Sequence, residues 1–287
     1  MKILIVGKGS YIGNHIQSWI EEHENHVEVV QLDAQTDEWK SFDYSRFDAV
    51  VQVAGIVHRP DVKDWNLYKR VNTDLPVAIA SMAKEQGVKQ FVFLSTMAVY
   101  GVGKRLAVNE ITELTPCSPR TLYAKSKYMA EEELRKLSDG HFKVVVVRPP
   151  NVYGKGCKGN YIPGFVKIVK KMPVVPFAYD NIRQSMIYID NLTSFIYQVI
   201  KHQSEGLFMP QDDRAVSAND LIAAIGNAIG KRVRTSRMLG HVVRLFSRAT
   251  IVKKAFGGLE YSKELSNKAD FSYVVVSFDE GIKRTVR

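Results

Sequence analysis

The stretch ILIVGKGSYIGNHI, residues 3–16, constrains this chain more than any other. Four aliphatic residues in a row read as a strand buried on both faces. Such strands belong to parallel sheets covered by helices on each side. Gly7, Gly9 and Gly13 then turn the chain into a helical pattern. Small residues let the backbone approach an anion there, and the helix N-terminus offers unpaired N–H groups with partial positive charge. Asp33 closes the second apolar run, 20 residues after Gly13, where a carboxylate can accept hydrogen bonds from a ribose diol. Strand, glycine turn, helix and acid together predict a dinucleotide site, with Gly7, Gly9, Ser10, Tyr11, Ile12 and Gly13 as its loop. Asp33 favours NAD(H), because it would repel a 2′-phosphate. Neighbouring residues reset that preference easily, so NADP(H) stays open.

Apolar runs alternate with amphipathic segments through the first half, which predicts βαβ units. Strands are expected at 2–6, 27–32, 48–53, 90–95 and 144–148, with helices near 12–23, 66–84 and 121–137. Ala54 and Gly55 follow the third strand and leave room for a cofactor. His58, in the loop beyond, reads as a structural or solvated histidine. Asn72, inside a helical pattern with polar neighbours, reads as a surface amide from its residues alone and is grouped with the cofactor contacts. After residue 150, Gly, Pro and Asn become frequent. A helix-like stretch (164–171) follows, then a strand and helix within 182–200, a helix capped by Ser217 and ending near Gly230, and a short C-terminal helix. The expected fold is α/β: a Rossmann-like doubly wound parallel sheet with a smaller, discontinuous substrate domain. Residues 1–152 form the dinucleotide-binding domain, to which 184–204 returns; 153–183 and 205–287 form the other.

The chemistry-bearing residues come later. Tyr123 and Lys127 stand four apart on a predicted helix, hence on one face. An ammonium beside a phenol favours the phenolate and makes it a general acid/base near neutral pH. Lys127 can also bond a nicotinamide ribose. Thr96, in the run LSTMAVYG at the end of the fourth strand, sits where open α/β sheets hold their ligands and can bind a substrate oxygen.

With the stretches GKGSYIG, VAGIVHR, RVNTDLP, VKQFVFLSTMAVYG, YAKSK, VVRPPNVYG, GNYIP, RQSMIYIDNL and SFDEGIKRTV, the chain resembles the extended short-chain dehydrogenase/reductases of the NAD-dependent epimerase/dehydratase family. Its loop departs from the family's usual Gly-x-x-Gly-x-x-Gly, with Ser at position 10 and glycine at position 9. The resemblance implies a catalytic set of Thr96, Tyr123 and Lys127. It also implies substrate contacts by Asn151, by Asn160 near a diphosphate, and by Arg183 at a phosphate. Family dehydratases carry Asp-Glu after the catalytic Thr; here Met97 and Ala98, which cannot move protons, disfavour dehydration. What remains is hydride transfer at a carbinol or ketone carbon. The resemblance ranks first the reduction of a UDP-4-keto-6-deoxy-N-acetylhexosamine, as in capsule and O-antigen pathways. A UDP-sugar 4-epimerase with tightly held NAD is the alternative, and a non-catalytic cofactor-sensing protein the third reading.

The formal net charge of +10 suits an anionic small substrate. The basic residues are too dispersed, and lack a known module, for nucleic acid to be expected as a partner. The segment 238–256 is basic and amphipathic. Leu239, Val242, Val243 and Phe246 form its apolar face, with Arg244 and Arg248 outside it, so weak contact with a membrane surface is one expectation and a substrate-domain helix the other. Cys117 and Cys157, without a CxxC partner, predict no disulfide and no metal cluster. With the absence of a signal-like or membrane-spanning segment, this fits the cytosol. The resemblance also implies a homodimer, with helices 66–84 and 121–137 as its expected faces.

Overall fold

The computed structural model describes residues 1–57, 62–101, 106–159 and 161–287. His58 and Asn160 lie outside the described residues. The core is a parallel sheet containing β1 (Lys2–Val6), β2 (Glu28–Leu32), β3 (Ala49–Gln52) and β4 (Gln90–Leu94), extended by Lys143–Val147 and Gly206–Phe208. Across the sheet the order is Gly206–Phe208, Lys143–Val147, β4, β3, β1, β2. The sequence reading ends the chain's return to this layer at 204. Gly206–Phe208 pairs with Val145–Val147 and so belongs to the sheet as well.

Alternation along the strands builds two apolar layers. Ile3, Ile5, Val51, Val92 and Val147 pack under Ile16 and Ile20 of α1 (Tyr11–His23) and under Leu192, Phe195 and Ile196 of the helix Ile189–Lys201. Leu4, Val6, Val50, Phe91, Phe93 and Val146 face the opposite layer, covered by α3 (Leu75–Glu85) and α4 (Leu122–Arg135), which follow the short α2 (Trp65–Lys69). A further core joins Phe165, Leu221, Ile225 and Phe278 from the helices Tyr161–Lys171, Ala218–Ala228 and Phe278–Val286.

The expected continuous helix over 66–84 is interrupted. Between α2 and α3, residues Arg70–Asp74 widen into a π-helical turn. Pro76 supplies the cause: it has no N–H to donate and its ring crowds the carbonyl four residues back, that of Asn72. The capping residues behave as the sequence predicts. Ser217 and Asp220 form a capping box, and Gly230 closes that helix with a φ of +68°.

Parallel order places every strand's carboxyl end on the same edge. The order reverses between β1 and β3, and the loops there part to leave a crevice. Among the described residues, no helix is long and apolar enough to cross a membrane.

Candidate active site

The crevice is a cavity of about 800 Å³. It is lined by Gly7–Ser10 after β1, Asp33–Asp37 after β2 and Ala54–Ile56 after β3, with Lys40, Arg70 and Asp74 at its sides. Gly7 cannot be another residue: its φ is +129°, and an added Cβ would lie 2.8 Å from the Ala54 nitrogen. Gly9 has a φ of +75° and faces open space, so the backbone itself forms the cavity wall. Ser10 caps α1 through Gly13 N–H at 3.1 Å. The first-turn N–H groups of Tyr11 and Ile12 have no acceptor within the helix. A dinucleotide fits this donor set: bare backbone and a helix N-terminus for a pyrophosphate, and Asp33 at the strand end for a ribose.

Not every expected loop residue lines this cavity. Ile12 packs into both apolar cores beside it. The Tyr11 ring points towards Gly154 and Gly156, and its buried hydroxyl has no hydrogen-bond partner among the described residues. Asn72 is fully buried rather than on a helix surface. It donates to Ile56 O and Ser126 Oγ, both at 3.0 Å, and accepts from Ile56 N–H at 2.8 Å. It therefore fastens the loop after β3 to α4, and the π turn is what aims it there.

At the end of β4 the two hydroxyls part company. Ser95 is buried and donates a short hydrogen bond to Glu131 of α4. Thr96 is partly exposed; its Oγ1 accepts from Ala98 N–H at 3.2 Å, which leaves the O–H to be donated elsewhere. It interacts with the phenol of Tyr123. α4 begins at its cap Thr121, whose Oγ1 accepts from Ala124 N–H at 3.1 Å. From there Tyr123, Lys127 and Glu131 recur every four residues along one side of the helix.

Lys127 is buried. Its Nζ donates to Leu94 O at 2.8 Å and lies 4.4 Å from the centre of the Phe93 ring. Burial pushes the ammonium down to about 8, against the opposing pull of Glu131. The phenol does not behave as the sequence reading expects. Burial raises its pKa, and the Thr96 hydroxyl offsets this in part. Lys127 is turned to the Leu94 carbonyl rather than to the phenol.

Behind these groups lies a buried ion pair. Arg148 donates to both Glu131 oxygens, with Nε at 3.0 and 3.2 Å and Nη2 at 2.5 Å, and its Nη1 reaches Tyr100 Oη at 2.7 Å. Neither Arg148 nor Glu131 is among the site residues expected from the sequence. The signal for Glu131 was there: it continues the four-residue step from Tyr123 through Lys127.

Thr96 also borders a second cavity of about 500 Å³. Met97, Ala98, Leu106, Gly257, Gly258 and Leu259 give it apolar or small walls; Asn109, Asn151, Gln184, Lys253 and Lys254 bring polar and charged groups. Asn151 thus lines the same cavity as Thr96. Arg183 is exposed, donates to Ala215 O at 3.3 Å and does not line the cavity. Among the described residues, Lys253 and Lys254 are the cations that do, and only the fold brings them to Thr96. Tyr153 is a packing residue: buried, with its hydroxyl donating to Asp212 at 2.7 Å.

A family described as NAD dependent epimerase/dehydratase matches residues 3–208. The UDP-glucose 4-epimerase of Vibrio cholerae is 28% identical over 274 residues, covering 91% of this chain and 81% of that protein. An N-acetyl-α-D-glucosaminyl-diphospho-ditrans,octacis-undecaprenol 4-epimerase of Escherichia coli O157:H7 is 25% identical over 248 residues, covering 80% and 73%. Among solved structures, the Thermus thermophilus UDP-glucose 4-epimerase in complex with NAD superposes with a TM-score of 0.72 at 20% identity, covering 100% of this chain and 98% of that one, a likeness of fold.

Two outcomes follow from the buried charges. Glu131→Ala leaves Arg148 buried without its carboxylate, and urea unfolding should show a loss of about 3–5 kcal/mol; Glu131→Leu combined with Arg148→Met should recover much of it. For Lys127, the folded chain releases its proton at about 8 while the unfolded chain holds it to 10.5. The unfolded state therefore binds more protons between those values, and stability rises with pH there. Relative to Lys127→Met, the wild type should gain roughly 2 kcal/mol between about pH 7.5 and 9.5, read from paired urea melts.

Proposed function

Since the chain belongs to the NAD dependent epimerase/dehydratase family, we propose that it inverts the C4 hydroxyl of a UDP-linked hexose, as a 4-epimerase that uses NAD. The observation that carries this reading is the meeting of Thr96 and Tyr123 at the end of β4, where Thr96 lines the second cavity, on the same sheet edge as the dinucleotide crevice. Gly7, Gly9, Ser10 and Asp33 are the residues that would hold the dinucleotide. Bound NAD supplies the hydride acceptor and donor. Tyr123, entering the step as the phenolate, takes the proton from the C4 hydroxyl as that carbon is oxidised and returns it to the oxygen on reduction. The Thr96 O–H holds the sugar oxygen, and the Lys127 ammonium stabilises the phenolate by turning to it from the Leu94 carbonyl.

Only one side chain in this set exchanges protons with the sugar. Inversion by a single acid/base therefore requires the keto sugar to present its other face to the same residue. Small or apolar walls at Met97, Ala98, Gly257 and Gly258 leave few groups to lock it in one pose. The same residues would serve reduction of a UDP-4-keto-6-deoxy-N-acetylhexosamine, which the sequence ranked first. The relatives that span most of the chain weigh towards epimerisation. Those two relatives act on sugar diphosphates with different carriers, one a nucleoside and one a polyprenol. UDP is the carrier assigned here, with Lys253 and Lys254 as the cations facing its diphosphate. Asp33 supports NAD over NADP.

Purified protein given UDP-glucose or UDP-N-acetylglucosamine, with no added reductant, should equilibrate the C4 epimers with no net change at 340 nm. Tyr123→Phe should lower kcat by about 10² or more, while NAD binding stays within about twofold. Stoichiometric consumption of NADH or NADPH with the 4-keto-6-deoxy sugar, and no epimerisation, would establish the reductase instead. Turnover by Tyr123→Phe close to wild type would remove the residue from the chemistry.

A further inference from the structure

Between Asp220 and Glu260 the chain carries eight Lys and Arg residues and no Asp or Glu. This segment includes the helices Arg237–Leu245 and Thr250–Phe256. The first is seated firmly by its inner side. Ser236 caps it through Leu239 N–H at 3.3 Å. Gly240 packs so tightly on the loop below that an added Cβ would lie 1.9 Å from the Phe177 carbonyl oxygen. Val243 contributes to the apolar core beneath.

The outer side is unpartnered among the described residues. Leu245 is 83% exposed, Met238 74%, Phe246 61% and Val242 46%, and Ile251 on the next helix is 77% exposed. At 3.6 residues per turn, Met238, Val242 and Leu245 fall within an arc of about 60°. Arg237, His241 and Arg244 occupy a neighbouring arc of similar width. The apolar stripe therefore differs from the face the sequence predicts: Leu239 and Val243 turn partly inward, while Met238 and Leu245 take their place outside.

We propose that this ridge docks the protein on an anionic bilayer surface, with Met238, Val242, Leu245, Phe246 and Ile251 entering the headgroup boundary and Arg237, Arg244 and Arg248 meeting lipid phosphates. An apolar stripe beside a cationic one, on a helix held rigidly from behind, is the arrangement that lies in a membrane interface. A second copy of the chain is a poor occupant. It would set arginines against arginines, and five side chains fall well short of the about 20–30 residues a side found in stable interfaces. The second helix of the ridge, Thr250–Phe256, also reaches the chemistry. Thr250, Lys253 and Lys254 line the cavity beside Thr96, while Ile251, on the same helix, is exposed. Docking would thus hold one wall of that cavity at the headgroup plane. This consequence for catalysis rests on the sugar-diphosphate reading above; the docking does not.

Sedimentation of the full chain with vesicles of phosphatidylglycerol and phosphatidylethanolamine, and with vesicles of phosphatidylcholine alone, tests the proposal. Binding to the anionic vesicles should be at least about tenfold tighter and should weaken with salt. Met238→Glu with Leu245→Glu should reduce it more than about tenfold. Arg237→Gln with Arg244→Gln should cost about fivefold per charge removed. The Met238→Glu, Leu245→Glu protein should retain its melting temperature and its turnover of a soluble UDP-sugar. Wild-type protein that stays in the supernatant, equal binding to neutral vesicles, or undiminished binding by the glutamate variant would each overturn the docking. So would a dimer that those glutamates dissociate in the absence of any vesicle binding. Vesicle binding by a protein without epimerase activity would defeat the functional reading and leave the docking intact.

Discussion

One buried carboxylate holds the site together. Glu131 has no solvent exposure, and Arg148 is 3% exposed. Two charges removed from water at such depth are tolerable only when their hydrogen bonds are met, and here they are. Arg148 bonds both carboxylate oxygens, Ser95 bonds one of them, and Tyr100 takes the remaining guanidinium edge. Glu131 comes from α4, Ser95 from the end of β4 and Arg148 from the end of Lys143–Val147. The cluster therefore fixes where a helix and two strand ends sit relative to one another. Thr96 is the neighbour of Ser95, and Tyr123 and Lys127 share a helix face with Glu131. Their separation is set by groups that never touch a substrate.

The arrangement carries a charge where charge is costly. Lys127 is buried against Leu94 and Phe93, and its proton is held less tightly than in water. Tyr123 is pushed the other way by burial. The two shifts move the acidities apart: burial makes the ammonium the stronger acid and the phenol the weaker one, so the phenolate has to be favoured by hydrogen bonds such as that of Thr96. Asn72 adds a further constraint. Its amide ties the loop after β3 to α4, so the crevice wall and the acid/base helix are one unit.

Much of this could be read from the chain. The aliphatic runs specified parallel strands, because only such strands need apolar residues on both faces. Gly7 stood out because it follows a buried strand and opens a turn into a helix; its backbone angle and its contact with Ala54 give the reason it carries no side chain. The four-residue step between Tyr123 and Lys127 placed both on one helix face. Other features were beyond local pattern. The break at Arg70–Asp74 needed the effect of Pro76 on a helix it does not begin, and Asn72 consequently turned inward. Glu131 read as one more charge on an amphipathic helix until Arg148, far away in sequence, met it. Lys253 and Lys254 belong to a segment that looks like a solvated basic helix, and only the tertiary fold sets them beside Thr96.

The central claim is that configuration at C4 changes through a hydride that never becomes a solvent proton, with Tyr123 handling only the oxygen-bound proton. Epimerisation of a UDP-sugar carrying deuterium at C4, run in ordinary water and followed by mass spectrometry, tests it most directly. The account predicts that the product keeps its deuterium and that turnover is slowed by a primary isotope effect whenever hydride transfer limits it. Loss of the label to water during inversion would mean that the carbon is deprotonated rather than oxidised, and would contradict the account.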